Sequence, residues 1–381
     1  MTKLASILIG GDCGPTHGPD QGFPIASYTE LVAPVLREAD FRFVNCMRTY
    51  SDRGVKSDHA PQVCQPVEMS TLFTSGLFDA VTMANNHSLD AGPDAMLDTR
   101  KLFLENGLLV TGAGRDLEDA RQPAIIEKSG VRVGYLGYTS VATAGTEAAE
   151  GKPGVANIRV KTKYEPRGPH QPVRVWTSPN PQDLARLTED ITALRKRVDV
   201  VVLAYHAGAI RLPRIISDYQ VDVAHAAIDA GADLVVGHAP HIPKAVEVYK
   251  GKVIFYSLGV FAMTKSFAAP AWTNEPAWAH GAVRNFMDLD PEYPLMPYGK
   301  DCTLALLAKA YVSSLGVAKI SFLPVKFDDR YRPEVLRAGD PRFKEVVDYM
   351  EWASEDMPHQ FEIEGDEVVV IAQQRNAASS V

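Results

Sequence analysis

The sequence is short of positive charge, of cysteine and of long hydrophobic runs. Its 381 residues include 39 Lys and Arg against 47 Asp and Glu, a formal net charge of −8, which argues against a broad nucleic-acid-binding surface. No apolar run approaches the roughly 20 residues that a membrane helix needs. The cysteines form no CxxC pair, so nothing in them indicates an oxidising compartment; they are Cys13, Cys46, Cys64 and Cys302. We therefore expect a cytoplasmic protein that binds neither nucleic acid nor a membrane.

The amino terminus does not have the pattern of a signal peptide. One positive charge, Lys3, precedes a short apolar run over residues 4–9 and then Gly10-Gly11-Asp12. A signal peptide needs a longer apolar region followed by a small-residue cleavage site. These residues instead predict a first buried strand.

Short apolar strands alternate with helical stretches along the chain. The composition, 46% hydrophobic and 23% charged residues, is that of a folded protein with a full-sized core. Near-continuous apolar strands separated by helices indicate a sheet that is covered on both faces, so the fold class is α/β. The predicted strands cover residues 4–9, 41–44, 80–84, 131–136, 200–204, 234–236 and 253–256, and the clearest helices cover residues 183–197 and 215–230.

Two stretches break this alternation. Residues 142–181 are dense in Gly, Pro and Thr, and residues 262–300 carry Trp272 and Trp278 among several prolines. Long irregular segments on an α/β body are typical of lids and pocket walls, so we expect both inserts to shape a site. Beyond about residue 325 the pattern predicts a helix over residues 342–352 and a strand over residues 360–371.

Polar side chains follow several of the predicted strands at the point where each strand ends. The carboxyl ends of parallel strands meet at one edge of an open α/β sheet, where ligands usually bind. We therefore expect these side chains to converge on a single site. They are Asp12, Asn45, Asn85-Asn86-His87, His206, and His238 with His241.

The residue types in this set indicate a metal centre. Oxygen and imidazole ligands without cysteine suit zinc, manganese, iron or nickel, and incomplete protein ligation leaves room for water or substrate. Taken singly, Asp12 is typical of a loop or helix cap and His206 of a hydrogen-bonded core histidine. Pro240, between two histidines, restricts the local backbone and favours a fixed ligand geometry. The whole set favours metal binding or catalysis.

The same residues resemble the CapA, or poly-γ-glutamate capsule-synthesis, family, which looks like a branch of the calcineurin-type metallophosphoesterase fold. In order and spacing the matching pieces cover roughly residues 4–262. The Asn-Asn-His and Gly-His-x-Pro-His pieces together are the most specific. The pieces are Gly11-Asp12, Ala84-Asn85-Asn86-His87 with Asp90, His206-Ala207-Gly208, Gly237-His238-Ala239-Pro240-His241 and Tyr256-Ser257-Leu258-Gly259.

The resemblance implies a fold, a domain layout and a set of site residues. The implied fold is a four-layer αββα sandwich of two face-to-face sheets with helices outside. The family domain would cover residues 1–325 with the two inserts, and residues 326–381 would be a C-terminal extension that packs on the same domain. His87 would be a proton-transfer or transition-state group beside the metal. The implied metal ligands are Asp12, Asn86, His206, His238 and His241.

Three departures from the family pattern bear on the chemistry. Where the family usually has Asn-Leu-Glu this chain has Asn45-Cys46-Met47, so a thioether replaces an expected metal-bridging carboxylate. Without that anion two dications repel each other more strongly, which favours one metal ion per chain. The usual His-Trp-Gly and Leu-Gly-Asn-Phe segments are also altered, to His206-Ala207-Gly208 and Leu258-Gly259-Val260-Phe261.

Three classes of function remain open. The favoured one is a metal-dependent hydrolase that acts on an amide, lactam or ester of a small or peptide-like substrate through metal-bound water. His87 moves protons there, and His280, on the insert with Trp278, is a second acid or base on a lid. The alternative enzyme is a metal-dependent epimerase or isomerase, in which Asp12 and a histidine exchange a proton. The third class is a non-catalytic partner in capsule biosynthesis; the substrate, the metal and the oligomeric state stay open.

Overall fold

The computed structural model of the protein describes residues 4–15, 24–54, 64–263 and 300–372. His280 and the tryptophans Trp272 and Trp278 lie outside the described residues. Within the described part, the helices are α1 (Ala33–Glu38), α2 (Thr71–Thr74), α3 (Pro93–Glu105), α4 (Leu117–Ala120), α5 (Pro181–Arg195), α6 (Asp218–Asp229) and α7 (Pro341–Ser354). None of them is long and apolar enough to cross a membrane.

The strands, in chain order over the same residues, are β1 (Ala5–Cys13), β2 (Phe41–Cys46), β3 (Thr49–Tyr50), β4 (Cys64–Gln65), β5 (Ala80–Thr82), β6 (Leu109–Thr111), β7 (Ala113–Gly114), β8 (Ala124–Lys128), β9 (Val131–Thr139), β10 (Gly154–Val155), β11 (Val160–Glu165), β12 (Arg174–Pro179), β13 (Val200–His206), β14 (Leu234–His238), β15 (Pro243–Tyr249), β16 (Lys252–Leu258), β17 (Val260–Ala262), β18 (Leu304–Ser313), β19 (Gly316–Phe327), β20 (Pro333–Val335), β21 (Phe361–Glu364) and β22 (Glu367–Val370).

Most strands belong to two large mixed sheets. The first runs β21-β22-β19-β18-β1-β2-β5-β6, with β17 beside β1 and β20 beside β19. The second runs β15-β16-β14-β13-β9-β8. In each sheet the central strands are parallel: β1, β2, β5 and β6 in the first, and β9, β13, β14 and β16 in the second. Parallel strands joined through helices are typical of sheets covered on both faces.

The two sheets pack face to face because alternate side chains of their strands are apolar. Ile7 and Ile9 of β1 share one core with Val200 and Val202 of β13, while Leu8 faces the opposite side, toward the helices. A stacked ring pair, Phe43 with Tyr135 at 4.6 Å between centroids, joins the sheets directly. Helices α1 to α3 lie in the core outside the first sheet and α5 and α6 in the core outside the second. The four-layer αββα sandwich is confirmed.

Local sequence signals set the ends of the two helices that cover the second sheet. Helix α6 begins after Ser217, which forms a capping box with Gln220, and the chain turns out of the helix at Gly231 with φ +114°. Helix α5 begins after Asn180, whose side chain accepts hydrogen bonds from the backbone N–H groups of Gln182 and Asp183. These caps satisfy N–H groups that have no partner within the helix.

Several expectations about the elements were wrong. The strand ends meet at the edges of two packed sheets rather than at one open sheet. The strand expected over residues 360–371 is the hairpin β21–β22, because Gly365 takes a left-handed turn with φ +61°. The insert over residues 142–181 is not wholly irregular, since it contains β10 and the antiparallel pair β11–β12. The long pair β18–β19, beyond the second insert, was not anticipated.

Candidate metal centre

The predicted site residues of both sheets come together at the carboxyl ends of the central strands. Asp12 ends β1, and Asn86 follows β5, on the first sheet; His206 and His238 end β13 and β14 on the second. Cα register places His206 directly opposite His238. Asp12, His206 and His238 are at most 1% exposed. The site therefore lies where the two sheets meet, and each sheet supplies part of it.

Strained backbone shapes the turn after β14. Ala239 has φ +97° and His241 has φ +61°, which are unusual values for residues with side chains. The turn brings the Ala239 N–H within 3.1 Å of Asp12 Oδ2. Strain of this kind persists only where the surrounding structure holds it, and it is common at functional sites. In this way the Gly-His-x-Pro-His segment aims His238 and His241 at Asp12.

Asp12 is the centre of this arrangement. Its Oδ1 accepts a hydrogen bond from Asn45 Nδ2 at 2.7 Å and lies 3.6 Å from His238 Nδ1 and 3.8 Å from His206 Nδ1. Its Oδ2 lies 3.0 Å from His241 Nδ1. Burial alone would raise the pKa of Asp12, but the hydrogen bond from His241 and the electrostatic interaction with the three neighbouring histidines together hold the pKa well below its usual range. Asp12 is therefore an anion that carries no proton at neutral pH.

His238 is fully buried, yet neither of its ring nitrogens has a hydrogen-bond partner among the described residues. Burial lowers the pKa of His238 to about 4, so the ring is neutral at neutral pH. A buried polar group without a partner is costly and calls for an explanation. A neutral imidazole nitrogen without a proton is also what a metal ligand requires. The orphaned ring fits a metal better than it fits a purely structural role.

A chain of hydrogen bonds runs from the site floor to its rim through two histidines. Asn45 Nδ2 donates to His206 Nδ1 at 3.1 Å, and His206 Nε2 donates to Asn86 Oδ1 at 3.1 Å. Asn86 Nδ2 then donates to His87 Nε2 at 3.2 Å. His87 Nδ1 in turn donates to Asp90 Oδ2 at 2.6 Å. Each link requires one particular neutral tautomer, so the network places both rings in defined orientations.

Burial sets the charge state of these two rings. It lowers the pKa of His206 to about 3, although the Asp12 carboxylate opposes the shift. Burial also lowers the pKa of His87, against the hydrogen bond to Asp90. Both rings are therefore neutral at neutral pH. His87 is the more accessible of the two, with 28% of its side chain exposed.

Two residues at the strand ends are scaffolding rather than ligands. Asn85 Nδ2 donates to the Cys46 carbonyl at 2.7 Å, and its Oδ1 accepts the His87 backbone N–H at 2.9 Å. Asn45 Nδ2 lies within hydrogen-bond distance of Asp12, His206 and the Met47 sulfur, which share its two N–H donors. These bonds hold the segment that presents Asn86 and His87. Sequence position alone did not separate the structural amides from Asn86.

The chemistry of the donor atoms suits a divalent cation. Asp12 and Asn86 offer oxygen atoms, and His206, His238 and His241 offer imidazole nitrogens, which is the ligand chemistry of the metals expected from the sequence. The described residues contain no ready-made group of three or more His, Cys, Asp or Glu side chains arranged around a cation. The three histidine Nδ1 atoms instead lie around Asp12. A cation held by these residues would therefore have to replace the contacts that the histidines make with Asp12.

Two groups beside the site received no role from the sequence, although Asp90 was part of the matching motif. Asp90 orients His87, and the spacing of three residues between them was the available signal. Arg48 directly follows Met47, and its charge contributes to the lowered pKa of His87 after burial. A cation next to the altered Asn45-Cys46-Met47 segment was visible in the sequence. The predicted second acid or base, His280, stays a prediction, since it lies outside the described residues.

The αββα sandwich, with Asp, Asn and His side chains at the carboxyl ends of its parallel strands, defines an α/β protein with a polar site where its two sheets meet. The profile of the family described as "Bacterial capsule synthesis protein PGA_cap" matches residues 6–265, more than half of the chain. The chain belongs to this family, which confirms the resemblance seen in its motifs.

Known proteins similar to this chain include two curated relatives. The PGA biosynthesis protein CapA of Bacillus subtilis (strain 168) is 31% identical over 245 residues, which are 63% of this chain and 58% of that protein. The capsule biosynthesis protein CapA of Bacillus anthracis is 32% identical over 191 residues, 50% of this chain and 41% of that protein. The chain thus spans about half the length of these relatives. Among solved structures, the calcineurin-like phosphoesterase YfkN from Bacillus subtilis is 15% identical, with a TM-score of 0.35 over 87% of this chain and 88% of that one.

Proposed function

We propose that the protein is a divalent-metal-dependent hydrolase that cleaves an amide, lactam or ester bond in a small or peptide-like substrate. The observation that carries the proposal is the neutral, partly exposed His87, held by Asp90 at the rim of a buried set of metal-binding side chains. A set of ligands alone would support a structural metal. An oriented, titratable ring beside that set supports chemistry.

The ligands proposed for the cation are Asp12, Asn86, His206, His238 and His241. A divalent cation held by them would supply Lewis acidity, which polarises a carbonyl oxygen and acidifies water. Because Met47 replaces the bridging carboxylate usual in the family, we propose one cation per chain. The identity of the cation is left to elemental analysis.

His87 is proposed as the group that moves protons. Its Nδ1 hydrogen is engaged by Asp90, so Nε2 is the free acceptor once the bond from Asn86 Nδ2 is released. Asp90 also stabilises the ring when it gains a proton, as a carboxylate does for a catalytic histidine. His87 can therefore take a proton from an attacking water and return it to the leaving group. Such assistance contributes roughly 10²- to 10⁴-fold to turnover.

The structure gives less support to the epimerase alternative. That reaction would use Asp12 as one of two bases, but both oxygens of Asp12 already accept hydrogen bonds or contact histidines, and its pKa lies well below the usual range. A carboxylate held in this way is a weak base. The relatives' names point to capsule biosynthesis, and a partner without catalytic activity remains the third alternative.

Isotope incorporation distinguishes the three classes. The metal-loaded protein is incubated with glutamyl peptides of α and γ linkage, and with a lactam and an ester analogue, in ¹⁸O water and separately in deuterated water. We expect ¹⁸O in a product carboxylate and no deuterium at a substrate carbon. Deuterium without cleavage would indicate the epimerase, and incorporation of neither isotope would contradict catalysis on these substrates.

His87→Gln is the matched variant for this experiment. It keeps the hydrogen-bonding side chain but removes the titratable ring, so we expect turnover to fall by about 10²-fold or more at unchanged metal content. Equal turnover in His87→Gln and the unmodified protein would remove His87 from the mechanism.

A further inference from the structure

Arg48 is a cation at the rim of the candidate metal centre that the proposed chemistry does not use. It follows β2 directly, and its Nη1 donates a hydrogen bond to the Met47 carbonyl at 3.1 Å. Arg48 therefore continues the segment that carries Asn45, whose side-chain amide reaches the Asp12 carboxylate.

The Arg48 side chain can pack against residue 14 because that residue is a glycine. A Cβ atom built on Gly14 would lie 2.8 Å from Arg48 Cγ and 3.1 Å from Met47 Cβ. Real Cβ contacts are not this short, so any larger residue at position 14 would push the Arg48 stem away. Gly14 lies two residues after Asp12, which puts the stem beside the strand end that carries the central carboxylate.

The charge of Arg48 has no acidic partner among the described residues. Its Nε is buried and has no hydrogen-bond partner there, and no salt bridge to it is formed within the described ranges. Arg42 and Arg195, by contrast, form salt bridges with Asp79 and Asp233. A partly buried guanidinium that has no acidic partner among the described residues, next to a candidate site, suits the binding of an anionic ligand.

We infer that Arg48 binds an oxyanion group of the substrate, a carboxylate or a phosphate, close to the bond that is cleaved. This inference rests on the proposed function in one respect only: the anionic group belongs to the molecule hydrolysed at the metal centre. Because the neighbouring Met47 carries no charge, the positive charge of Arg48 is not balanced by residue 47, which favours an acidic substrate. Arg48 is a specificity determinant in this scheme and takes no part in proton transfer.

Direct binding tests the inference without requiring turnover. Titration calorimetry of the purified protein, as isolated, uses two probes, glutarate for the carboxylate and inorganic phosphate for the phosphate. Arg48→Gln removes the charge, and Arg48→Met also removes it while keeping an apolar stem against Gly14, so the test stands even if one variant folds poorly. Arg197→Gln is the control, because this exposed arginine precedes β13 at the end of the strand away from His206.

We expect one probe to bind the unmodified protein and the Arg197→Gln variant equally, and at least 10-fold more weakly to both Arg48 variants, the usual effect of losing a charge-assisted hydrogen bond. The probe that shows the loss identifies the group as carboxylate or phosphate. Equal binding by the Arg48 variants and the unmodified protein would overturn the inference, and so would failure of both probes to bind the unmodified protein.

The experiments distinguish failure of the hydrolase proposal from failure of the anion-binding inference. Anion binding that depends on Arg48 without any ¹⁸O incorporation would contradict the hydrolase and leave the anion site standing. If hydrolysis is found, Arg48→Gln should raise KM for an acidic substrate by about 10-fold and leave KM for its neutral amide counterpart unchanged. A loss of kcat on both substrates would instead show that Arg48 merely holds the site together, and would overturn the specificity role.

Discussion

At the scale of single residues, Met47 bears most directly on the proposed number of bound metal ions. It is fully buried at the end of β2, and its sulfur accepts a hydrogen bond from Asn45 Nδ2 at 3.1 Å. The Asn45 amide also contacts Asp12, so this one side chain connects Met47 with the central carboxylate. A thioether there offers no charge to hold two dications together.

The variant Met47→Glu should therefore raise the number of bound divalent ions from one toward two per chain. The added carboxylate would lie beside Asn45 and supply the bridging charge that the sequence lacks. Elemental analysis of both proteins after exhaustive dialysis measures the ratio, with the isosteric but uncharged Met47→Gln as the control. Two tightly held metal ions in the unmodified protein would show that Met47 does not limit the stoichiometry.

At the scale of elements, β15 carries a buried lysine that ties a site loop to the sheet. Lys244 has no exposed surface, and its Nζ donates to the Ile215 carbonyl at 2.6 Å. Ile215 belongs to the loop between His206 and α6. Burial lowers the pKa of Lys244 from 10.5 to about 8. Strand β15 thus anchors the loop through a buried amine, and the burial of this amine costs free energy.

This shift predicts a pH dependence of stability. Between about pH 8 and pH 10.5 the unfolded chain keeps the Lys244 proton while the folded protein loses it, so the unfolded state binds more protons and stability rises with pH. Relative to Lys244→Met, the free energy of unfolding of the unmodified protein should rise over this window by at most about 3 kcal/mol. Urea unfolding of both proteins across the window measures the difference. Parallel curves would mean that the amine is not strained by burial.

Strands were predictable from the sequence where an unbroken run of apolar residues marked them. In β13, Val200 and Val202 face one core and Val201 and Leu203 the other, so the strand is apolar on both faces and stands out in the sequence. In β21–β22 the pattern continued across Gly365, and nothing in hydrophobicity alone separates one strand from a tight hairpin. The turn follows from backbone freedom at a single glycine, which a pattern of burial does not register.

The convergence of these side chains was predictable from the sequence, but their contacts were not. Strand ends indicated Asp12, His206 and His238, because parallel strands of each sheet place these ends together. Which amide holds the scaffold and which faces the site depends on side-chain direction after β5, where Asn85 turns inward and Asn86 outward. The role inferred for Arg48 could not be predicted from the sequence, because it depends on the lack of an acidic partner among the described residues, which only the structure shows.

At the scale of the whole molecule, the candidate metal centre joins the two halves of the sandwich. Asp12 and Asn86 come from the first sheet, and His206, His238 and His241 come from the second. The two sheets pack against each other through the apolar core that lies between them. At their carboxyl edge, polar groups replace that core, and a cation bound there would link the sheets.

Metal removal should therefore lower the thermal stability of the whole protein. A ligand present at 100 to 1,000 times its dissociation constant stabilises the folded state by roughly 3 to 4 kcal/mol, and loss of that contribution corresponds to a fall in Tm of roughly 5 °C or more. Calorimetry before and after treatment with a chelator measures the change, and elemental analysis confirms that the metal has left. In His238→Ala, which lacks one proposed ligand from the second sheet, metal content should be low and the chelator should shift Tm little. A metal that leaves the unmodified protein without changing Tm would mean that it is not held between the two sheets.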